Sequence, residues 1–193
     1  SICKKYMTLE KMIYKELKIP GCFILYPKIY SDIRGSFHES YNKNIFDKIL
    51  KKKFVFVQDN FSLSKKGVLR GLHLQMNKPQ GKLISVLKGS IFDVFLDMRK
   101  NSPTFKTYET IKLNYSDKNL LWLPPGIAHG FCVTSKEVHL NYKVTNFYDP
   151  NSEYTIKWND KNLNINWPIT KPIVSKKDKD CSISLSKALK LFS

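Results

Sequence analysis

Arginine is nearly missing from this 193-residue chain: Arg34, Arg70 and Arg99 stand against thirty lysines. Lysine therefore carries almost all of the formal net charge of +17. An arginine is then expected where geometry matters, because its planar fork grips a carboxylate or phosphate with two bonds and an ammonium does not. Long apolar runs are missing as well. None approaches the roughly 18 residues of a membrane span, and Lys4, Lys5, Glu10 and Lys11 interrupt the first twenty residues, which therefore do not read as a signal peptide. The four cysteines (Cys3, Cys22, Cys132, Cys181) are scattered with no CxxC spacing. That argues against a zinc or disulfide framework and for reduced thiols in a cytoplasmic protein. The longest basic run is Lys51-Lys52-Lys53, and no nucleic-acid motif occurs. The charge reads first as a solvated surface and second as attraction for a phosphorylated substrate, with no nucleic-acid or membrane partner.

What is present fits a single domain with a substantial core. The chain starts at Ser1, so a trimmed start is expected. Met12 is a candidate natural start, which makes 1–11 an N-terminal extension and 12–193 the domain. Apolar residues at Ile2, Tyr6, Leu9, Ile13 and Leu17 have helical spacing. A short helix is expected over 42–53, capped by Asn42 or Asn44, with Ile45, Phe46, Ile49 and Leu50 on one face. The middle reads as strands: Phe54–Val57 leading into Gln58 and Asn60, Lys82–Lys88 and Ile91–Asp97 as a hairpin turning at Gly89-Ser90, Tyr108–Leu113, and Leu120–Leu123 stopped by Pro124-Pro125-Gly126. Phe131–Thr134 and Val138–Thr145 are expected to pair around Ser135-Lys136-Glu137. A closing helix is expected over 182–192 through Ile183, Leu185, Leu189 and Phe192. Many short strands with Gly and Pro turns predict an antiparallel sandwich or barrel of jelly-roll type.

The chemistry concentrates in Val68-Leu69-Arg70-Gly71-Leu72-His73-Leu74-Gln75. By strand parity His73 shares a face with Gln75, while Leu72, Leu74 and Met76 take the other. Strict alternation puts Arg70 and His73 on opposite faces, so both can line one pocket only if Gly71 bulges the strand. Without that, a hydrogen-bonded structural histidine is the plainer reading. Gln58 and Asn60 share a parity. Lys82 stands at the mouth of a strand after Pro79-Gln80-Gly81, and His129 follows a rigid turn. Tyr142 shares parity with Val138, Leu140 and Val144 and is expected to point inward. Barrels of this class often bind metal through His-x-His, but here the position reads His73-Leu74-Gln75, and glutamine is a poor substitute for imidazole. No metal and no cofactor is expected, and His73 is free to act as a base.

From about Ile13 to Leu191 the chain resembles the dTDP-4-dehydrorhamnose 3,5-epimerases. The matching runs include Asp32–Asn42, Phe56–Asn60, Val68–Gln75, Gln80–Lys82, Phe92-Asp93-Val94, Asp97-Met98-Arg99, Ser102–Phe105, Leu121–Phe131, Trp158-Asn159-Asp160 and Ile165–Pro168. The resemblance implies a mainly β cupin fold, a double-stranded β-helix or jelly-roll barrel with short flanking helices. It implies a nucleotide-sugar substrate whose C4 ketone acidifies C3 and C5. His73 would be the general base, oriented by Asp178 or Asp180, and Tyr142 the acid on the opposite face. Lys82 would stabilise the enolate with His129 nearby, and Arg70, Gln58 and Asn60 would hold the diphosphate and sugar. Arg34, Phe37 and Glu39 would reach the nucleotide from the neighbouring subunit of a homodimer. The chain departs from the family's usual residues at Phe61, at Ser36 and His38 around Phe37, and at Leu74. A mono-epimerase or 3,4-ketoisomerase on a related dTDP- or GDP-linked sugar, and a non-catalytic sugar-nucleotide binder, are the rival readings.

Overall fold

The computed structural model describes residues 5–191. In chain order its elements are β1 (Met7–Leu9), β2 (Met12–Glu16), β3 (Phe23–Pro27), β4 (Tyr30–Asp32), β5 (Gly35–Phe37), α1 (Lys43–Leu50), β6 (Gln58–Lys65), β7 (Leu69–Gln75), β8 (Lys82–Lys88) and β9 (Ser90–Asp97). They continue with β10 (Tyr108–Asn114), β11 (Leu120–Leu123), β12 (Ile127–Val133), β13 (Glu137–Val144), β14 (Glu153–Thr155), α2 (Lys176–Asp180) and α3 (Leu185–Leu191). A seven-stranded sheet runs β1-β2-β3-β11-β8-β13-β6, a five-stranded sheet runs β10-β9-β12-β7-β14, and β4 and β5 form a separate hairpin. All of the strand pairings within these sheets are antiparallel.

The core is layered. Ile24, Ile84, Leu121 and Leu140 from the larger sheet meet Ile91, Phe95, Ile127 and Phe131 from the smaller. The larger sheet's outer face is closed by α1, whose Ile45, Phe46 and Ile49 pack with Trp122 and Met12. Outside the smaller sheet, Leu69, Leu72 and Leu74 pack with Ile156, Leu163, Trp167 and Leu185 of the C-terminal segment. The jelly-roll barrel is therefore sealed at both outer faces, and polar residues are left to gather inside one end.

The helix at 43–50 forms as its pattern predicts. Asn42 accepts bonds from the backbone N–H groups of Asn44 and Ile45, and Lys51 ends the helix in the left-handed conformation. Four sequence expectations fail. The helical spacing at the N-terminus is not used: Tyr6 precedes β1, and β2 pairs with β3 so that Met12 is buried against the helix-covered layer. Ile2 lies outside the described residues. The strands joined at Gly89-Ser90 do not pair. β8 lies between β11 and β13 while β9 lies between β10 and β12, so the turn carries the chain from one sheet to the other. Gly89 permits this with φ +81 and with Glu137 O only 2.1 Å from where a Cβ would sit. β12 and β13 likewise belong to different sheets. Phe54–Val57 is irregular, with Phe54 and Phe56 packed on the Trp122 ring, and the strand begins only at Gln58. The closing helix spans Leu185–Leu191; Phe192 lies outside the described residues, as does Cys3. Cys22 and Cys132 are free and buried, and Cys181 is free and exposed. No helix among the described residues is long and apolar enough to cross a membrane.

Candidate active site

β6 is built inside out. Its inward residues are Gln58, Asn60, Ser62 and Ser64, and its outward ones include the exposed Phe61 and Leu63. A strand that turns polar groups inward makes sense only if the interior holds something polar. The inward row borders a cavity of about 340 Å³, also lined by Arg70, His73, Lys82, His129 and Tyr142. Seven residues proposed from the sequence thus meet in one place: Gln58, Asn60, Arg70, His73, Lys82, His129 and Tyr142.

Gly71 makes this convergence possible. His73 pairs with His129 and Arg70 pairs with Phe131, so three steps on β7 oppose two on β12. The extra residue is a β-bulge, and it brings Arg70 and His73 to the same cavity. Gly71 has φ +105, and a Cβ there would sit 2.5 Å from His129 O, so no other residue fits. Arg70 donates from Nε to Ser64 Oγ at 3.1 Å. The other two arginines grip their own chain, Arg34 on Asp32 and Arg99 on Asp97. Among the described residues Arg70 forms no ion pair, and it is the one guanidinium left for an anion.

His73 Nε2 lies 2.7 Å from Asp178 Oδ1. A carboxylate only accepts, so Nε2 carries the hydrogen and Nδ1 is left as the basic nitrogen. Asp178 is buried, at 4% exposure, and is set on α2 by the Ser175 cap, whose Oγ accepts from the Asp178 N–H at 3.0 Å. Burial alone would raise its carboxyl, but the bonds from His73, the Gly71 N–H and Ser175 outweigh that and hold it below the usual carboxylate range. Asp180 is exposed, so Asp178 is the histidine's partner.

Tyr142 comes from β13 of the larger sheet, while His73 comes from β7 of the smaller one. The two side chains therefore stand on opposed walls of the cavity. Burial raises the phenol, and the nearby Arg70 charge offsets this only in part, so it stays protonated through neutral pH. Lys82, from β8, is 9% exposed, and burial pulls its ammonium down to about 8 against the pull of Glu153 and Asp93.

Gln75 is not in the cavity. Its amide holds the chain at Lys78, Phe147 and Asp149, so the pair it was expected to form with His73 is a structural clamp instead. Arg34 and Phe37 lie exposed on the β4–β5 hairpin, and Glu39 borders a separate surface recess beside Lys11 and Lys28. None of the three lines the cavity of its own chain. Sequence reasoning missed Ser62, Gln80, Phe131, Tyr148 and Glu153. Ser62 was readable from the parity of Gln58 and Asn60. Tyr148 and Glu153 reach the cavity because β14 pairs with β7, which no local pattern announces. Glu153 forms an ion pair with Lys177 and accepts from the Tyr148 hydroxyl at 3.1 Å.

Fold and cavity together define a cupin-type jelly-roll barrel with an imidazole–carboxylate pair, a facing phenol, a buried ammonium and an unpaired guanidinium. A family model described as dTDP-4-dehydrorhamnose 3,5-epimerase matches residues 16–184, and the chain belongs to that family. The Shigella flexneri dTDP-4-dehydrorhamnose 3,5-epimerase is 48% identical over 162 residues, 83% of this chain and 90% of that protein. The crystal structure of the Elizabethkingia anophelis enzyme of the same name superposes with a TM-score of 0.87 at 39% identity, covering 92% of this chain and 98% of that one. The Legionella pneumophila dTDP-6-deoxy-D-glucose-3,5-epimerase, solved with dTDP-4-keto-L-rhamnose, gives 0.85 at 43% identity, covering 89% and 92%.

Proposed function

We propose that this protein inverts C3 and C5 of a dTDP-linked 4-keto-6-deoxyhexose, converting dTDP-4-dehydro-6-deoxy-D-glucose to dTDP-4-dehydro-L-rhamnose. The observation that carries this reading is the placing of His73 and Tyr142 on facing sheets around one cavity. Inversion needs a base on one side of the ring and an acid on the other, and two opposed walls supply them.

The ketone makes the hydrogens on C3 and C5 acidic. His73 Nδ1 takes the proton, the electron pair moves onto the C4 oxygen, and Lys82 as ammonium bonds the resulting enolate. Tyr142 returns a proton to the same carbon from the other face. The ketone re-forms, His73 releases its proton to water and Tyr142 is reloaded from water. The cycle repeats at the second carbon. Arg70 holds the diphosphate, and Gln58 and Asn60 bond the sugar and diphosphate oxygens.

The cavity lies at the small end of the range for ligand sites, which suits the sugar and diphosphate and leaves the nucleoside outside. A partner subunit would complete that outer part in a homodimer. Two features support this. The β4–β5 hairpin projects with Ile33 and Phe37 exposed beside Arg34, and β6 shows Phe61 and Leu63 to solvent on an open sheet edge. Sedimentation velocity showing a monomer at micromolar concentration would reject the dimer. A cytoplasmic location is part of the same reading, supported by the free Cys22, Cys132 and Cys181 and by the nucleotide-sugar substrate.

The test is incubation with the dTDP-4-keto sugar in D₂O, followed by proton NMR. Deuterium should enter at two carbons, and His73→Ala should abolish both exchanges while nucleotide binding persists. Wash-in at neither carbon by the unaltered protein would reject the reaction, and exchange at one alone would make it a mono-epimerase.

A further inference from the structure

Gln75 is a buried amide, 4% exposed, at the end of β7. It does not line the cavity, yet every polar atom of its side chain is engaged. Nε2 donates to Lys78 O at 2.8 Å and to Phe147 O at 3.1 Å, and Oε1 accepts from the Asp149 N–H at 2.9 Å. The residue between Phe147 and Asp149 is Tyr148. Its N–H donates to Gln58 Oε1 at 3.1 Å, and Gln58 Nε2 in turn donates to Asn60 Oδ1 at 2.7 Å. A chain of hydrogen bonds thus runs from Gln75, through the 147–149 backbone, to two amides on the cavity wall.

The direction of each link is fixed. A backbone N–H only donates, so the Gln75 oxygen meets the Asp149 N–H and the Gln58 oxygen meets the Tyr148 N–H. A backbone carbonyl only accepts, so the Gln75 nitrogen meets Lys78 and Phe147. Gln58 then turns its nitrogen to Asn60, whose oxygen must receive it. Both side-chain oxygens on this wall are therefore engaged by protein donors. Among the described residues, one N–H of Gln58 and both of Asn60 are left for a ligand.

The segment between β13 and β14 has no strand or helix of its own to hold it. Side chains fasten it to the turn before β8. Besides Gln75, Gln80 Nε2 donates to Asn146 O at 2.9 Å and Asn146 Nδ2 to Pro79 O at 2.8 Å. Of these three amides, Gln75 alone grips both sides of Tyr148.

We propose that Gln75 is a positioning residue for substrate binding: by holding Phe147 and Asp149 it aims the Tyr148 N–H at Gln58, and so presents Gln58 and Asn60 to the ligand as hydrogen-bond donors. Donors suit a ligand that offers oxygens rich in lone pairs and negative charge, as a sugar diphosphate does. Without the Tyr148 N–H the Gln58 amide is free to flip, and the pair loses its polarity. The proposal deepens the reading above, because it takes the ligand of this cavity to be the dTDP-sugar.

The test is a cycle of Gln75→Leu and Gln58→Ala, read by calorimetric titration with dTDP, which needs no turnover. Leucine keeps most of the bulk of Gln75 and none of its bonds. Each single variant should weaken dTDP binding about tenfold, the worth of one hydrogen bond to a charged group. The double variant should bind little worse than Gln58→Ala alone, because Gln75 acts through Gln58. In turnover, KM of Gln75→Leu should rise with kcat nearly unchanged, since His73, Tyr142 and Lys82 are untouched. Additive losses in the cycle would make Gln75 a structural residue and overturn the proposal, as would unchanged affinity in folded Gln75→Leu. If that variant does not fold, NMR of the unaltered protein decides. Scalar couplings should cross the bonds from the Tyr148 N–H to the Gln58 side-chain carbonyl and from Gln75 Nε2 to the Phe147 carbonyl; absence of either overturns the proposal. Binding of dTDP without epimerisation would reject the proposed reaction alone, and failure of the unaltered protein to bind dTDP would overturn both.

Discussion

Replacing Lys82 with methionine should make the fold more stable and the enzyme nearly inert. The reasoning starts from burial. Lys82 is 9% exposed, and burial draws its ammonium from 10.5 down to about 8. Below pH 8 the side chain is charged in both the folded and unfolded states, and the folded chain bears the desolvation. At 1.36 kcal/mol per pKa unit this amounts to roughly 3 kcal/mol of stability forgone at pH 7. Between pH 8 and 10.5 the unfolded chain binds more protons than the folded one, so this contribution to stability rises with pH across that window. Methionine matches the stem and carries no charge. Lys82→Met should therefore be roughly 3 kcal/mol more stable than the parent at pH 7 by urea denaturation, and the gap should shrink as pH is raised from 8 towards 10.5. The difference between the two proteins cancels the titration of the other lysines. Activity should move the opposite way, because the enolate loses its cation, with kcat falling about 10²–10³-fold. In the parent, kcat should decline as pH rises through about 8. A methionine variant that is less stable at pH 7, or whose advantage is the same at pH 7 and 10, would refute the claim that the buried charge is carried at the fold's expense.

Two further substitutions separate near neighbours. Asp178→Asn should lower kcat by about 10²–10⁴-fold, because an amide no longer fixes the His73 tautomer, whereas the same change at the exposed Asp180 should leave turnover unaltered; equal losses would show that only the α2 helix matters. Gly71→Ala should destabilise the protein by roughly 2–4 kcal/mol, because φ is +105 and the new Cβ meets backbone at 2.5 Å; a thermal melt at the parent temperature would mean the bulge is not needed.

The strands were legible in the sequence, but their partners were not. Alternation and turn residues located β8, β9, β10 and β11 closely, because those signals are local. Pairing is decided by the closure of two sheets on one core. A glycine turn such as Gly89-Ser90 looks the same whether it folds a hairpin or sends the chain across the barrel; what differs is the distant Glu137 carbonyl against which Gly89 packs. The N-terminal error has a similar origin. Five apolar residues fit a helical period, but Met12 and Tyr14 also fit a strand, and the open edge of β3 settled the matter by pairing with β2.

The site was more legible than the topology, since its residues are chemically conspicuous and their placement needs only strand parity plus one exception. Parity set Gln58 and Asn60 on one face and pointed Tyr142 inward. It failed between Arg70 and His73, and the glycine lying between them marked where the rule would break. Asp93 was passed over in the sequence, although it is a completely buried carboxylate on a strand otherwise apolar from Ile91 to Leu96. A local rule violated that plainly, in a chain with few acidic residues, is itself a signal of function. Its meaning became readable only when the fold brought His129 within 2.7 Å and left the second oxygen bare. Sequence pattern can locate a buried carboxylate; the imidazole that bonds it comes from another strand, and only the closed barrel brings the two together.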